Sequence, residues 1–137
     1  MGDVIDAMLE LWNGGDLAAV DEVYADPVRL AGVACPRSEV TRVLERSRGA
    51  FPDQRYAVED RLDGYDRVAL RLTWTGTHTG GWESAYGVIA ATGRRFSVGV
   101  IEFYELAEGR IAGAWVGFDA RELMRQLAVE LVPRVPA

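Results

Sequence analysis

The sequence predicts an α+β fold in which helices come first and a curved, mostly antiparallel sheet follows. Two observations carry this prediction. Over the first third of the 137-residue chain apolar residues recur at helical spacing, and from about residue 56 they alternate at the spacing of strands. No linker, repeat or low-complexity segment interrupts the chain, so we expect one domain over residues 1–137.

The first two helices follow from an apolar stripe and a capping residue. The stripe of the first helix consists of Val4, Met8 and Trp12. Gly14 and Gly15 end this helix. Asp16 is then placed to cap a second helix that reaches Tyr24.

A third helix is predicted from Ser38, its capping residue, to a point just before Pro52. Its inward-facing residues are Val40, Val43 and Leu44. The segment 28–33 before this helix is predicted as a strand or irregular structure.

Four strands and a last helix complete the chain. The strands are predicted at 56–62, 67–78, 96–106 and 110–118, with tight turns at 63–66 and 108–109. Asp119 and Glu122 form a capping-box pattern that opens the final helix, whose inward residues are Leu123, Leu127 and Leu131.

Glu102 breaks the apolar face of the third predicted strand. Its even-numbered neighbours, which point the same way in a strand, are Phe96, Val98, Val100, Tyr104 and Leu106. A carboxylate buried without a cation has a raised pKa, which suits acid–base catalysis. The alternative is a structural ion pair between Glu102 and Arg71 or another strand residue.

Composition excludes several classes of function. All fifteen basic residues are arginines, so Schiff-base chemistry, a pyridoxal phosphate anchor and a phosphate-loop lysine are ruled out. A net charge of −6 without a basic cluster argues against nucleic acid and anionic membranes as partners. One histidine and one cysteine cannot supply a typical zinc site. We therefore expect no metal and no cofactor.

Localisation is predicted from the same composition. Cys35 is the only cysteine, which prevents an intrachain disulfide and favours the reducing cytoplasm. No apolar run approaches the ~20 residues that cross a bilayer.

Two further residues are candidates for proton transfer. Asp60 is predicted to share the inward face of its strand with Tyr56, Val58 and Leu62, or else to bond to backbone or to an arginine. His78, the only histidine, ends a strand beside a long loop. It either shuttles protons near neutral pH or anchors the loop.

Aromatic and small residues are predicted to shape a pocket between helices and sheet. The loop 79–91 carries Trp82 and Tyr86, which form a lid over a planar or hydrophobic substrate or pack the loop onto the barrel or a dimer partner. The face of the last strand is predicted as Ala112, Ala114 and Val116, whose small side chains leave room. The remaining predicted wall residues, which could equally be core, are Trp12, Val43, Trp74, Val100 and Tyr104.

Six short segments in this order resemble one known family. They are Phe51-Pro52-Asp53, residues 64–71, 76–80, 92–96 and 108–111, and Phe118-Asp119-Ala120, with Trp12 to Asp16 upstream. Together they resemble the SnoaL-like polyketide cyclases of the nuclear transport factor 2-like superfamily. The resemblance implies a cone-shaped α+β barrel with a deep apolar pocket, no cofactor and a homodimeric state.

The resemblance also exposes two substitutions at the family's chemical positions. In the aldol-type cyclases an aspartate on the last strand acts as general acid/base, assisted by a histidine on the strand before it. Here these positions fall on Val116 and Glu102. Since valine cannot move a proton, the resemblance does not transfer the aldol mechanism.

The first functional hypothesis is a cofactor-independent cyclase of secondary metabolism. It would close a ring in a polyketide-like hydrophobic intermediate, with Glu102 as acid/base and a pericyclic, epoxide-opening or conjugate-addition step. The alternatives are a non-catalytic protein that binds a hydrophobic small molecule, and an isomerase or epoxide hydrolase that uses the same pocket.

Overall fold

A computed structural model of the protein describes residues 2–130 and confirms the α+β class. Its helices are α1 (Val4–Trp12), α2 (Val20–Val23), α3 (Ser38–Ala50) and α4 (Ala120–Gln126), with a 3₁₀ turn at Leu17–Ala19. Its strands are β1 (Tyr24–Leu30), β2 (Val33–Cys35), β3 (Arg55–Asp63), β4 (Arg67–Thr77), β5 (Trp82–Ser84), β6 (Gly87–Ile89), β7 (Arg95–Ala107) and β8 (Arg110–Phe118). Leu131, predicted to face inward from the last helix, lies outside the described residues.

The main sheet has six strands in the order β2-β1-β8-β7-β4-β3. All neighbours are antiparallel except β1 and β8, which are parallel. The helices cover one face of this mixed sheet. β5 and β6 form a separate hairpin within the segment that was predicted as a loop.

Two details of the N-terminal half differ from the prediction, and a third agrees with it. Tyr24 is not helical: it begins β1, since helical structure ends at Val23. Ser38 is the first residue of α3, and Arg37 stands at its cap position without a side-chain cap bond. The predicted cap Asp16 is confirmed, because its carboxylate accepts from the Ala18 N–H at 3.0 Å.

An arginine joins the two long helices. The Arg48 guanidinium on α3 donates to the carbonyl oxygens of Leu11 and Gly15 at the end of α1. Backbone carbonyls at a helix end lack partners within the helix, so a cation there is favourable. This contact fixes the distance between α1 and α3, the two helices that roof the cavity described below.

Two β-bulges change which side chains face inward. The register between β3 and β4 shifts between Val58 and Asp60, so that Asp60 lies opposite the outward Arg71. The register between β7 and β8 shifts so that Ile111 lies opposite Leu106. Ile111 is therefore buried in the place predicted for Ala112.

The final helix packs across β7. Its predicted cap is confirmed, since the Asp119 carboxylate accepts from the Glu122 N–H at 3.0 Å. Gln126 at the other end exchanges two hydrogen bonds with the backbone of Ser97. Within residues 2–130, none of the helices combines the length and the apolar character that a bilayer span requires.

Candidate active site

A cavity of about 380 Å³ lies between the helices and the inner face of the sheet. Its wall is mostly aromatic and aliphatic. The predicted wall residues that line it are Trp12, Val43, Trp74, Trp82, Val100, Tyr104, Ala114 and Val116. A concave apolar site with few polar groups is typical of a small-molecule pocket.

Glu102 lies on the inner wall of this cavity, as its strand pattern predicts. The residue is 7% exposed. The register places it between Leu70 of β4 and Val116 of β8, so both cross-strand neighbours are apolar. Burial by these strands removes most of the water that would stabilise a charged carboxylate.

No arginine neutralises Glu102 among residues 2–130. Arg71 pairs in register with Ile101, whose side chain points to the other face of the sheet, so the predicted alternative of an Arg71 ion pair is wrong. The hydrogen bond that the carboxylate does receive comes from the Tyr104 hydroxyl, at 2.7 Å from Oε1. Oε2 accepts no hydrogen bond from residues 2–130 and is therefore available to a ligand.

The isolation of the carboxyl group changes its acidity. Burial raises the pKa of Glu102 from its ordinary value of 4.5 to about 7, and the Tyr104 hydrogen bond only partly offsets this rise. Both protonation states are consequently populated at neutral pH. The same group can take a proton or give one, as acid–base catalysis requires.

Three tyrosines line the cavity with Glu102: Tyr24, Tyr56 and Tyr104. Burial raises the pKa of each phenol well above its usual range, and the nearby Glu102 charge raises it further. They remain neutral at physiological pH. Their hydroxyls are therefore hydrogen-bond donors rather than bases.

The Tyr24 hydroxyl is held in place by the first helix. The indole Nε1–H of Trp12 donates to the Tyr24 oxygen at 2.8 Å. Tyr56 is positioned differently, by stacking on Trp74 with ring centroids 5.6 Å apart. The Trp74 indole N–H donates not to Tyr56 but to Gln54, at 3.1 Å.

The opening of the cavity is lined by residues of α3, β5 and β8. Val43, Val116 and Phe118 are partly exposed there. Arg46 of α3 and Glu83 of β5 also line it and approach each other to 4.0 Å. A long, exposed ion pair of this kind contributes little stability.

The β5–β6 hairpin covers part of this opening. Trp82 of β5 lines the cavity and packs edge-on against Phe51 at 5.3 Å between ring centroids. Tyr86 at the hairpin tip is 57% exposed and does not line the cavity. Of the two residues predicted either as a lid or as loop packing, Trp82 therefore lines the cavity and Tyr86 does not.

His78 anchors the base of the hairpin instead of facing the cavity. The residue is fully buried. Its Nδ1 accepts from the Thr92 N–H at 3.3 Å and lies 3.1 Å from the Thr92 hydroxyl. Burial lowers the pKa of His78. This position matches the loop-anchoring alternative, and His78 is not among the residues that line the cavity.

Asp60 does not reach the cavity. Residues 57–60 are all exposed, and the bulge after Val58 sets Asp60 opposite the outward-facing Arg71. The alternation that seemed to bring Asp60 inward is broken by that single extra residue. Asp60 is therefore excluded from the site by its position.

Sequence reasoning missed two tyrosines of the site, Tyr24 and Tyr56. Tyr24 was predicted as the end of a helix, and the chain gives no local signal that it begins a strand. Tyr56 was predicted inward, but its place beside Glu102 depends on the pairing of β3 with β4. Their roles become visible only when three separate strands meet around one cavity.

Comparison with known proteins agrees with this fold. The family model for SnoaL-like polyketide cyclases matches residues 2–127. Comparison with curated proteins gives no match. The structure of TsrD from Streptomyces laurentii is 26% identical, with a TM-score of 0.81 and 93% of each chain covered.

Two other solved structures are similarly close. IdmH from Streptomyces antibioticus, a candidate polyketide cyclase, is 25% identical with a TM-score of 0.78, covering 92% of this chain and 96% of the other. AclR from Streptomyces galilaeus, a candidate hydroxylase, is 26% identical with a TM-score of 0.77, covering 97% of this chain and 82% of the other.

Proposed function

Because the chain belongs to the SnoaL-like polyketide cyclase family, we propose that it is a cyclase that closes a ring in a hydrophobic, polyketide-like intermediate. The candidate polyketide cyclase among the similar structures supports the same reaction class. The candidate hydroxylase among them shows why family membership alone does not fix the chemistry. The chemistry therefore depends on the residues that line the cavity.

One observation carries the proposal: a carboxyl group that has no cationic partner among residues 2–130 opens into an apolar cavity. In the described part of the chain, Oε1 of Glu102 accepts one hydrogen bond, Oε2 accepts none, and the pKa of the carboxyl group is about 7. A protein that only needed stability would gain from an apolar residue here, since an isolated buried carboxyl is costly. The placement supports a role in proton transfer.

The cavity supports ring closure by holding the substrate folded. Its aromatic walls bind an apolar chain, and its small residue Ala114 leaves room opposite Tyr104. Bringing two ends of a flexible chain together can contribute several kcal/mol to the barrier reduction. One carboxyl group is then enough for ring closure, provided that it takes a proton from the substrate and later returns the same proton to the product.

Val116 limits which closure is possible. It lies directly opposite Glu102 across β7 and β8, and it offers no proton-transfer group. Glu102 and Val116 therefore supply one acid/base and one apolar contact. This favours a conjugate-addition, epoxide-opening or pericyclic closure over a reaction that needs two acids.

The test compares two carboxylates on one strand. The protein, Glu102→Gln and Glu105→Gln are incubated with linear polyketide intermediates, and cyclised product is measured by mass spectrometry. Glu105 is the matched control, because its carboxylate faces the other side and pairs with Arg29. We expect Glu102→Gln to lower turnover by about 100-fold or more and Glu105→Gln to leave it unchanged. Equal turnover by all three would remove Glu102 from the mechanism.

A non-catalytic binding protein is the second candidate. The absence of a proton-transfer group at Val116 favours it, since this is the position of the acid/base aspartate in the aldol-type relatives. This function predicts that Glu102→Gln retains ligand affinity and biological activity alike. Turnover of any intermediate by the unmodified protein would rule it out.

We further propose that the protein is a homodimer that associates through the outer face of its sheet. Phe103 and Trp115 pack edge-on there at 5.9 Å, and Ile101 beside them is 58% exposed. A contiguous apolar surface of this kind is typical of an interface. Light scattering should show a dimer that Ile101→Asp converts to monomer; a monomeric parent protein would contradict the proposal.

A further inference from the structure

Tyr24 has a hydrogen-bonding capacity that the fold does not use. The residue is 3% exposed and lines the cavity. Its oxygen accepts from Trp12 Nε1–H, but its own O–H proton has no acceptor within residues 2–130. A buried donor without an acceptor destabilises the folded protein, so this arrangement calls for an explanation.

The position of the donor suggests one. Tyr24 and Glu102 line the same cavity, and they are close enough for the Glu102 charge to raise the pKa of the phenol. The Trp12 bond fixes the orientation of the hydroxyl before any ligand arrives. Donors that are oriented in advance and shielded from water stabilise a developing negative charge most effectively.

We propose that Tyr24 is a second catalytic residue, whose hydroxyl binds the carbonyl oxygen of the substrate while Glu102 moves the proton on the carbon beside it. The substrate class is then an enolisable carbonyl compound with a second, electrophilic carbon within the same chain. This inference rests on the proposed acid–base role of Glu102 and adds the group that stabilises the oxyanion.

The step balances without a co-reactant. The Glu102 carboxylate removes a proton from the carbon next to the carbonyl, and the C–H electron pair forms an enolate whose oxygen accepts from the Tyr24 hydroxyl. The enolate carbon attacks a conjugated alkene carbon of the same molecule and closes the ring. The electron pair displaced from the alkene takes the proton back from the Glu102 carboxyl group. The product is therefore an isomer of the substrate.

Tyr24 keeps its own proton throughout this step. Burial and the Glu102 charge both oppose its ionisation. It therefore acts as a hydrogen-bond donor and not as the acid. Tyr104 cannot replace it, because its hydroxyl already donates to Glu102 Oε1.

The probe for this inference is 4-nitrophenol, whose phenolate imitates the enolate oxygen and absorbs at a different wavelength from the neutral phenol. Its affinity is measured by absorbance from pH 5 to pH 9 for the protein and for Tyr24→Phe, Tyr56→Phe and Glu102→Gln. Nitrobenzene, which has no hydroxyl, serves as the matched ligand. Tyr56 is the control tyrosine, because it lines the same cavity but accepts no indole hydrogen bond.

Tyr24→Phe should weaken phenolate binding about 10- to 100-fold at every pH, since hydrogen bonds to charged groups are the strong ones. It should leave nitrobenzene affinity unchanged, and Tyr56→Phe should have a smaller effect on the phenolate. Unchanged phenolate affinity in Tyr24→Phe, or a larger loss in Tyr56→Phe, would overturn the inference.

The role of Glu102 has a separate signature in the same data. Phenolate affinity should fall as pH rises through the Glu102 pKa, because the ionised carboxylate repels the phenolate. Glu102→Gln should abolish that fall, and Tyr24→Phe should preserve it. If Tyr24→Phe binds the phenolate as tightly as the parent protein while phenolate affinity still falls with pH, only the inference about Tyr24 is overturned. If phenolate affinity in the parent protein does not change with pH, the proposed role of Glu102 is overturned.

Discussion

Replacing Glu102 with glutamine should remove a loss of stability that the parent protein undergoes between acidic and neutral pH. Relative to the parent, the variant should therefore be more stable at neutral pH than at acidic pH. The folded state holds the carboxyl with a pKa of about 7, against an ordinary value of 4.5. In the unfolded chain the group is ionised above its ordinary pKa, while in the folded protein it stays protonated until pH approaches 7. The folded state therefore binds more protons in this window, and stability falls as pH rises.

The size of the effect follows from the same two values. Each pH unit between them corresponds to about 1.4 kcal/mol, so the free energy of unfolding should fall by about 3 kcal/mol across the window. The loss is absent below pH 4.5 and complete above about pH 7. Glutamine is nearly isosteric and does not ionise, so it removes this dependence.

Urea unfolding of both proteins at several pH values between 4 and 8 measures the effect. The difference between the two free energies isolates Glu102, because titration of His78 and of the surface carboxylates is common to both proteins. We expect the free energy of unfolding of the variant, minus that of the parent, to rise by about 3 kcal/mol from the acidic to the neutral end of the range. A difference that stays constant with pH would refute the raised pKa.

Two other predictions concern the hairpin over the cavity. Trp82→Ala should weaken binding of a planar apolar dye about tenfold or more, because the indole lines the cavity. Tyr86→Ala is the control. An equal loss of dye affinity in both variants would contradict a specific role of Trp82 in the wall. Gly80→Ala should lower the melting temperature by several degrees, since an added Cβ would lie 1.9 Å from the carbonyl oxygen of Gly49. Gly81→Ala, where the added atom meets nothing within 4 Å, should melt like the parent, and equal melting of both variants would contradict the close approach of the backbones.

Tyr104→Phe tests the hydrogen bond that opposes the rise in pKa. The Tyr104 hydroxyl stabilises the charged form of Glu102 at 2.7 Å. Its removal should raise the Glu102 pKa above the parent value. The pH range over which the free energy of unfolding falls should then extend to higher pH. A lower Glu102 pKa in this variant would contradict the assigned contact.

The central feature of the site could be predicted because it depends on one strand. Alternation along β7 places Phe96, Val98, Val100, Glu102 and Tyr104 on one buried face, and the structure confirms each of them there. No distant information is needed, since the period of two is a property of the strand itself. The helices and their approximate limits were predictable for the same reason.

The errors arise where pairing between strands decides the outcome. One extra residue in β3 turns Asp60 outward, and one in β8 puts Ile111 in the place predicted for Ala112. Neither bulge leaves a mark in the composition of its own strand. Likewise, the β5–β6 hairpin decides the positions of His78 and Tyr86. His78 is buried at the base of the hairpin, and Tyr86 is exposed at its tip.

The most direct test is the titration of Glu102 itself by NMR of protein labelled with carbon-13 at the glutamate side-chain carboxyls. We predict one carboxyl resonance with a midpoint near pH 7, absent from Glu102→Gln and moved to higher pH in Tyr104→Phe. If every glutamate resonance had its midpoint in the usual acidic range, the carboxyl group would be solvated or paired, and the proposed chemistry would have no acid to perform it.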